Sequence, residues 1–377
     1  MEPEIIEKRE SNGILQFTLG NVNVSIANAL RRILLSEIPV IVFKTSPHDK
    51  NDAVILFNNT RMNNEILKQR LSCIPIYIND IENFPLSQYI LEIDKENDSD
   101  IIQYATTKDF QLKNTMNGQY LAEHERDKIF PPDPISNQYI DFVRLRPQMN
   151  TIQKEKIHLT CKLSISNAKE DAMFNVVSTC AYGNTKDEVK IAEVWSKKHE
   201  SLKQSGMAED EIAFEKKNWM SLDAQRYSVP NSYNFTIESI GVYSNMDLFH
   251  KGCQILVSKF ENFRQSIQND EVMIHEAQTT NSNFYDIILE NEDYTMGKVL
   301  EYLAYRDYFD NGKILNFCGF QKIHPHDDYS ILRVGLIEDT EETKIFKGVK
   351  HTDRIKGILN SVCSSAEAIF NHINTLI

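Results

Sequence analysis

Between Ile14 and Pro39 the hydrophobic period of the chain changes once. "ILQFTLGNVNV" is rich in β-branched and aromatic residues and predicts a strand. "SIANALRRILLSEIP" then carries Ile26, Leu30, Ile33 and Leu34 at i, i+4, i+7 and i+8, which predicts a helix with one face built for burial. Ser25 reads as its hydroxyl cap and Pro39 as its stop. Its charge is less ordinary: Arg31 and Arg32 stand side by side, with no acid until Glu37.

The same pattern returns late in the chain. In "FYDIILENEDYTMGKVLEYLAY", a shift of 270 positions places Thr295 on Ser25, Met296 on Ile26, Gly297 on Ala27 and Leu300 on Leu30, and the preceding strand aligns without a gap. Met296, Val299, Leu300 and Leu303 form a second apolar stripe. Each unit continues with a further strand and a long helix. The first long helix has its stripe at Phe249, Cys253, Leu256, Phe260 and Phe263; the second has Ile355, Leu359, Val362, Ala366, Ile369 and Ile373. Two half-buried units in one chain predict an α+β fold in which they pair as an intramolecular pseudo-dimer. A covalent connection gives such a pair an effective concentration in the millimolar range.

The domain boundaries follow from texture. Residues 1–48 and 229–270 form a discontinuous first pairing domain, 271–283 read as a linker around "HEAQTTNSN", and 284–377 form the second pairing domain. Between the two pieces of the first, 49–228 contain short strand-like runs such as "DAVILF", "IPIYI" and "IHLTCKLSIS", which predict a β-rich insert. Near its end, 186–226 turn charged, with lysines matched by acids, and predict a solvated helical hairpin.

Composition narrows the function. A chain of 377 residues with 41% hydrophobic and 25% charged residues can bury a real core, and its length suggests about two or three domains. The net charge of −13 argues against direct binding of nucleic acid, which requires a basic face. Six scattered cysteines give neither a disulfide framework nor a zinc spacing. No uncharged apolar run approaches the roughly 20 residues of a membrane span, and the N-terminal segment is charged from its second residue, so an intracellular location is expected.

Motifs for catalysis are scarce. There is no phosphate-binding glycine loop, no His-Glu-x-x-His and no nucleophile elbow. The one suggestive cluster is His324, His326, Asp327 and Asp328 in "HPHDD", which could serve a metal-dependent hydrolase, although its proline suits a surface turn. Arg31, Arg32 and the lysines of the hairpin leave nucleic-acid binding as another alternative. Two forked guanidinium groups could equally meet carboxylates or carbonyls of a partner protein.

"NVSIANALRRILLSEIPV" closely resembles the signature helix of the larger alpha-like subunit of cellular RNA polymerases, the family of bacterial alpha, archaeal D and the third-largest subunit of eukaryotic polymerase II. "FNNTRMNNEILKQRLSCIPIYI", "NAKEDAMFNVVSTCAY" and "FTIESIGVYS" are similar to later segments of that family. "ENEDYTMGKVLEYLAY" and "FCGFQKIHPHDD" resemble the smaller alpha-like partner, archaeal L, with Tyr294, Met296 and Lys298 where that family has His, Leu and Asn. The presence of both in one chain resembles the fused arrangement of large nucleocytoplasmic DNA viruses. The Gly-x-Gly run expected before "AKEDA" is missing, and no cysteine cluster matches the iron–sulfur or zinc additions of some relatives.

This resemblance implies a noncatalytic assembly platform of a multisubunit DNA-directed RNA polymerase. It implies docking to the second-largest subunit through Asn28, Arg31 and Arg32, with the largest subunit and small zinc-binding subunits as further partners. The pseudo-dimer interface would use Ile26, Leu30, Ile33, Leu34, Met296, Val299, Leu300, Leu303, Ile355, Leu359 and Val362. No cofactor is expected on this chain, Mg and Zn belonging to other subunits, and neither nucleic acid nor membrane is an expected direct partner. The implied location is the host cytoplasm or nucleus, with packaging in the virion as a further expectation.

Overall fold

In the computed structural model, which describes residues 2–148, 153–278, 283–337 and 350–377, the chain opens with strands β1 (Glu4–Ser11) and β2 (Ile14–Gly20), helix α1 (Val24–Ser36), and strands β3 (Val40–Val42) and β4 (Ala53–Asn58). Helix α2 (Asn64–Ser72) leads to strands β5 (Tyr89–Glu96), β6 (Gln103–Thr106) and β7 (Gln111–Asn114). Next come α3 (Glu123–Ile129), β8 (Asp141–Leu145), β9 (Lys156–Lys162), β10 (Ser164–Ser166) and β11 (Val177–Lys186). Helices α4 (Glu188–Gln204) and α5 (Glu209–Ser221) are followed by β12 (Ser228–Ser239), α6 (Asn245–Gln268), β13 (Ile274–Glu276) and β14 (Phe284–Glu290). The chain closes with α7 (Tyr294–Ala304), β15 (Leu315–Gln321), β16 (Tyr329–Leu336) and α8 (His351–Thr375). Helix and sheet are thus mixed, an α+β fold.

Two compact units result. One holds residues 1–34, 179–238 and 249–377; the other holds 35–178 and 239–248. These bounds differ from those read in the sequence. Residues 35–48 belong to the β-rich unit because β3 pairs with β10 and because Ile41 and Phe43 enter its core beside Phe110 and Phe130. The stretch 186–226 forms the two helices α4 and α5, which lie in the first unit rather than in the insert. Trp195 and Trp219 meet at 5.4 Å between ring centroids and give this hairpin a small core with Ile191 and Ile212.

In the first unit the internal repeat becomes visible as topology. One sheet has the order β1-β2-β12-β11 and another has β13-β14-β16-β15. β2 and β14 have the same length at the 270-residue shift, and Phe17 and Leu19 on the first correspond to the buried Ile287 and Leu289 on the second. Phe17 lies opposite Phe235 across the β2–β12 pair, and their rings stack at 5.1 Å. β13 corrects the linker expected at 271–283. Residues 274–276 pair with β14 and occupy the sheet position that β1 holds in the first half. Of that stretch, 279–282 lie outside the described residues.

The long helices α6 and α8 supply further contacts between the halves. Phe260 and Phe370 stack at 6.0 Å, and Arg264 grips Glu367 with two bonds, Nε to Oε1 at 2.8 Å and Nη2 to Oε2 at 3.1 Å. The planar fork of arginine suits this two-point recognition of a carboxylate. Lys259 reaches Glu292 at 2.9 Å, and His250 meets Asn374 at 2.8 Å.

Candidate protein-docking site

Helix α1 begins one residue before the expected cap. Its first residue is Val24, and the side chain of Asn23, not the Ser25 hydroxyl, accepts the N–H of Ser25 at 2.9 Å. The second half repeats this arrangement: Asp293 caps α7 by accepting the N–H of Thr295 at 2.8 Å. An Asn or Asp cap satisfies a first-turn N–H that the helix leaves open. Both caps therefore sit two residues upstream of the hydroxyls, and the 270-residue correspondence survives the correction.

The stripes behave as apolar period dictates. Ile26, Leu30, Ile33 and Leu34 on α1, Met296, Val299, Leu300 and Leu303 on α7, and Ile355, Leu359 and Val362 on α8 are all buried, and all lie in the first unit. Gly252 on α6 lets that helix approach α1, since a Cβ there would stand 2.9 Å from Leu34. Gly297 is held more stringently, because an added Cβ would come within 1.9 Å of the Phe320 ring. Of the other α7 residues singled out in the sequence, Tyr294 sets its ring edgewise on Phe320 at 5.3 Å, and Lys298 bonds Glu301 at 2.5 Å.

The arginine pair divides its work. Arg32 Nε donates to Thr295 Oγ1 at 2.8 Å and Nη2 donates to Asp293 Oδ2 at 2.6 Å, so this guanidinium is engaged by the cap of the opposite half. Burial pushes the Asp293 carboxyl up, but the Thr295 hydrogen bonds and the positive charge of Arg32 outweigh it and hold the group below its ordinary range. Arg31 instead turns back along its own helix and donates Nε to Asn28 Oδ1 at 3.0 Å. Asn28 and Arg31 are half-buried. Asn28 also lines a cavity of about 590 Å³ with Ser25, Tyr182, Lys298, Glu301 and Tyr302. The Ser25 hydroxyl beside it is buried without a hydrogen-bond partner. Of the three docking residues expected from sequence, Asn28 and Arg31 thus form one linked pair and Arg32 belongs to a contact inside the chain.

Sequence reasoning missed Asn23, Asp293, Arg264 and Glu367. A signal for the first two existed: the shift that aligns Ser25 with Thr295 also aligns Asn23 with Asp293, both good cap residues. Nothing in the spacing of Arg264 and Glu367 points to their meeting.

The alternative sites gain no geometry. His324 and His326 lie in an exposed turn, closed by the Asp327 carboxylate accepting the His324 N–H at 3.0 Å and by His324 Nδ1 accepting the His326 N–H at 3.1 Å. Among the described residues no group of three or more His, Cys, Asp or Glu is placed to hold a metal ion. On the hairpin, Lys198 bonds Glu215 at 2.7 Å, Lys190 lies over Tyr227, and Lys216 lies over Trp195. Each of these three lysines is thus engaged by a carboxylate or an aromatic ring. No helix among the described residues is long and apolar enough to cross a membrane.

Comparison with known proteins bears on the same region. The family model of the RNA polymerase Rpb3/Rpb11 dimerisation domain matches residues 16–260. DNA-directed RNA polymerase subunit Rpo3 of Pyrococcus furiosus is 24% identical over 286 residues, covering 71% of this chain and 97% of the relative. The DNA-directed RNA polymerases I and III subunit rpac1 of Dictyostelium discoideum is 28% identical over 191 residues, 46% of this chain and 50% of the relative. From the same organism, DNA-directed RNA polymerase II subunit rpb3 is 29% identical over 83 residues, 22% of this chain and 25% of the relative. The chain therefore spans half or less of the two Dictyostelium proteins and nearly all of the Pyrococcus one.

Proposed function

The chain belongs to the RNA polymerase Rpb3/Rpb11 dimerisation domain family, and from that premise we propose that it is a noncatalytic assembly subunit of a multisubunit DNA-directed RNA polymerase. The observation that carries this reading is the family match over residues 16–260, which takes in α1 and most of α6. On this reading the first half acts as the larger alpha-like subunit and the second as the smaller, fused so that pairing no longer depends on protein concentration. The fusion resembles the arrangement of large nucleocytoplasmic DNA viruses, and the place of work is the host cytoplasm or nucleus.

The docking surface for the second-largest subunit is centred on Asn28 and Arg31. Arg32 holds the two halves in register beneath it. The largest subunit and small zinc-binding subunits complete the assembly, and the catalytic Mg and structural Zn reside on those partners. The support for Asn28 and Arg31 is their position: both are half-buried and linked to one another, and Asn28 lines the cavity beside α1. A partner surface that presents carboxylates or carbonyls there would meet the forked donors of the Arg31 guanidinium.

The test is affinity purification of the tagged chain from its native source, followed by mass spectrometry of what accompanies it. Two much larger polymerase chains in equal amount are expected. A chain that purifies alone would contradict the reading.

A further inference from the structure

The shift of 270 positions that relates α1 to α7 has a companion in the long helices. Moving 106 positions places Phe249 on Ile355, Cys253 on Leu359, Leu256 on Val362, Phe260 on Ala366 and Phe263 on Ile369, so the two apolar stripes share one spacing. Each junction residue therefore has a counterpart in the other half. Counterparts show which contacts would survive if two like halves met instead of two unlike ones.

Four charges gather at one place in the junction. Arg32 of α1 meets Asp293 at 2.6 Å, and Lys259 of α6 meets the neighbouring Glu292 at 2.9 Å. Both cations come from the first half and both acids from the second. Their counterparts carry no charge: Arg32 falls on Tyr302, Lys259 on Ser365, Asp293 on Asn23 and Glu292 on Val22. The contact equivalent to Arg32 with Asp293 is thus Tyr302 with Asn23, and these two line the same cavity of about 590 Å³.

Like pairs would strand these charges. Two first halves would set each Arg32 against Asn23 and each Lys259 against Val22; two second halves would set each Asp293 against Tyr302 and each Glu292 against Ser365. The side chains of Lys259 and Glu292 are only 15% and 19% exposed, so water does not fully replace a missing partner. Of the other ion pairs between the halves, Arg264 with Glu367 runs in the same direction but discriminates less, because Glu367 falls on Glu261, an acid that a like first half also offers. Lys356 with Asp270 runs the other way, but the Asp270 side chain is 76% exposed and solvent screens the pair.

We propose that Arg32, Lys259, Glu292 and Asp293 are the specificity determinants of pairing, which admit an unlike half and reject a second copy of the same half. The covalent connection does not do this alone. The first half is synthesised before the second exists, and in that interval only its surface decides what it joins. Two uncompensated cations on each side disfavour a pair of first halves, and the acids of the second half then engage them. The inference concerns the pairing step of the assembly reading and is tested on the chain without any other subunit.

The experiment uses full-length chains with reversed charges. One variant carries Arg32→Glu with Lys259→Glu, a second carries Glu292→Lys with Asp293→Lys, and a third carries all four. Each of the first two brings four like charges together within its own chain. Refolded from denaturant as an equimolar mixture, these two exchange halves and elute at twice the mass of one chain, in equal amounts by mass spectrometry. The third variant unfolds at a higher denaturant concentration than the second, although both lack the Asp293 cap. A mixture that refolds only to single chains overturns the inference, as does a third variant no more stable than the second. Either result leaves the assembly reading intact, whereas a native chain that purifies without large subunits contradicts that reading and leaves this inference standing.

Discussion

Arg32 and Asp293 stand 261 residues apart in the chain and close an ion pair of 2.6 Å, with the Arg32 Nε also donating to Thr295 Oγ1 at 2.8 Å. The first helix of one half thereby bonds the cap of the corresponding helix in the other. Asp293 serves twice, as N-cap of α7 through Oδ1 and as partner of Arg32 through Oδ2.

A double-mutant cycle with Arg32→Ala and Asp293→Asn isolates the pair from the cap. The side chains are 34% and 30% exposed, so solvent screening keeps the coupling small, about 1 kcal/mol in urea unfolding. A coupling indistinguishable from zero would make the contact incidental to the joining of the halves.

Acid should weaken the same junction. The Asp293 carboxyl titrates below its ordinary value of 3.8 in the folded chain, so its contribution to stability is present above that value and is lost as pH falls through the lower folded value. Comparing the pH dependence of melting between the native chain and Asp293→Asn should reveal a difference confined to pH below about 4. A difference that appears only near neutrality would point to another group.

The apolar stripes are more sensitive. Leu30→Ala or Leu300→Ala leaves a cavity and should cost about 2–5 kcal/mol, measured by denaturant unfolding. Leu30→Asp or Leu300→Asp places an unpaired charge in the core and should prevent folding, seen as loss of the cooperative transition. Gly297→Ala, which drives a methyl into Phe320, should cost roughly 1–3 kcal/mol despite the better helix propensity of alanine.

Thiol chemistry gives an independent check on burial. Cys161, Cys180, Cys253 and Cys363 are buried, and burial pushes Cys180, Cys318 and Cys363 up to about 12. Because the thiolate is the nucleophile, these groups should stay unmodified by a maleimide at neutral pH, while the exposed Cys73 reacts. Rapid labelling of Cys253 in the native chain would contradict the described packing of α6.

Much of this architecture is legible in the sequence because burial imposes a period. The stripe of α1 and its echo on α7 can be read directly, and so can the shift between them, since a strand followed by a capped helix must repeat its spacing to repeat its packing. The caps lie two residues from the hydroxyls because Ser25 and Asn23 are both good cap residues, and only the backbone decides between them. β13 is invisible to pattern because a three-residue edge strand has no periodicity of its own; the pairing of Ile274 with Ile287 defines it. The division of labour between Arg31 and Arg32 is hidden as well. Adjacent helical residues point about 100° apart, and which of them meets Asp293 depends on how the two halves pack.

The claim that this chain is an assembly platform is tested most directly by reconstitution with and without it. Large polymerase subunits combined with the remaining small subunits should fail to form a stable complex and fail to synthesise RNA on a template until this chain is added. Arg31→Glu, which leaves the isolated chain folded, should restore neither. Full assembly and template-dependent synthesis in the absence of the chain would contradict the account.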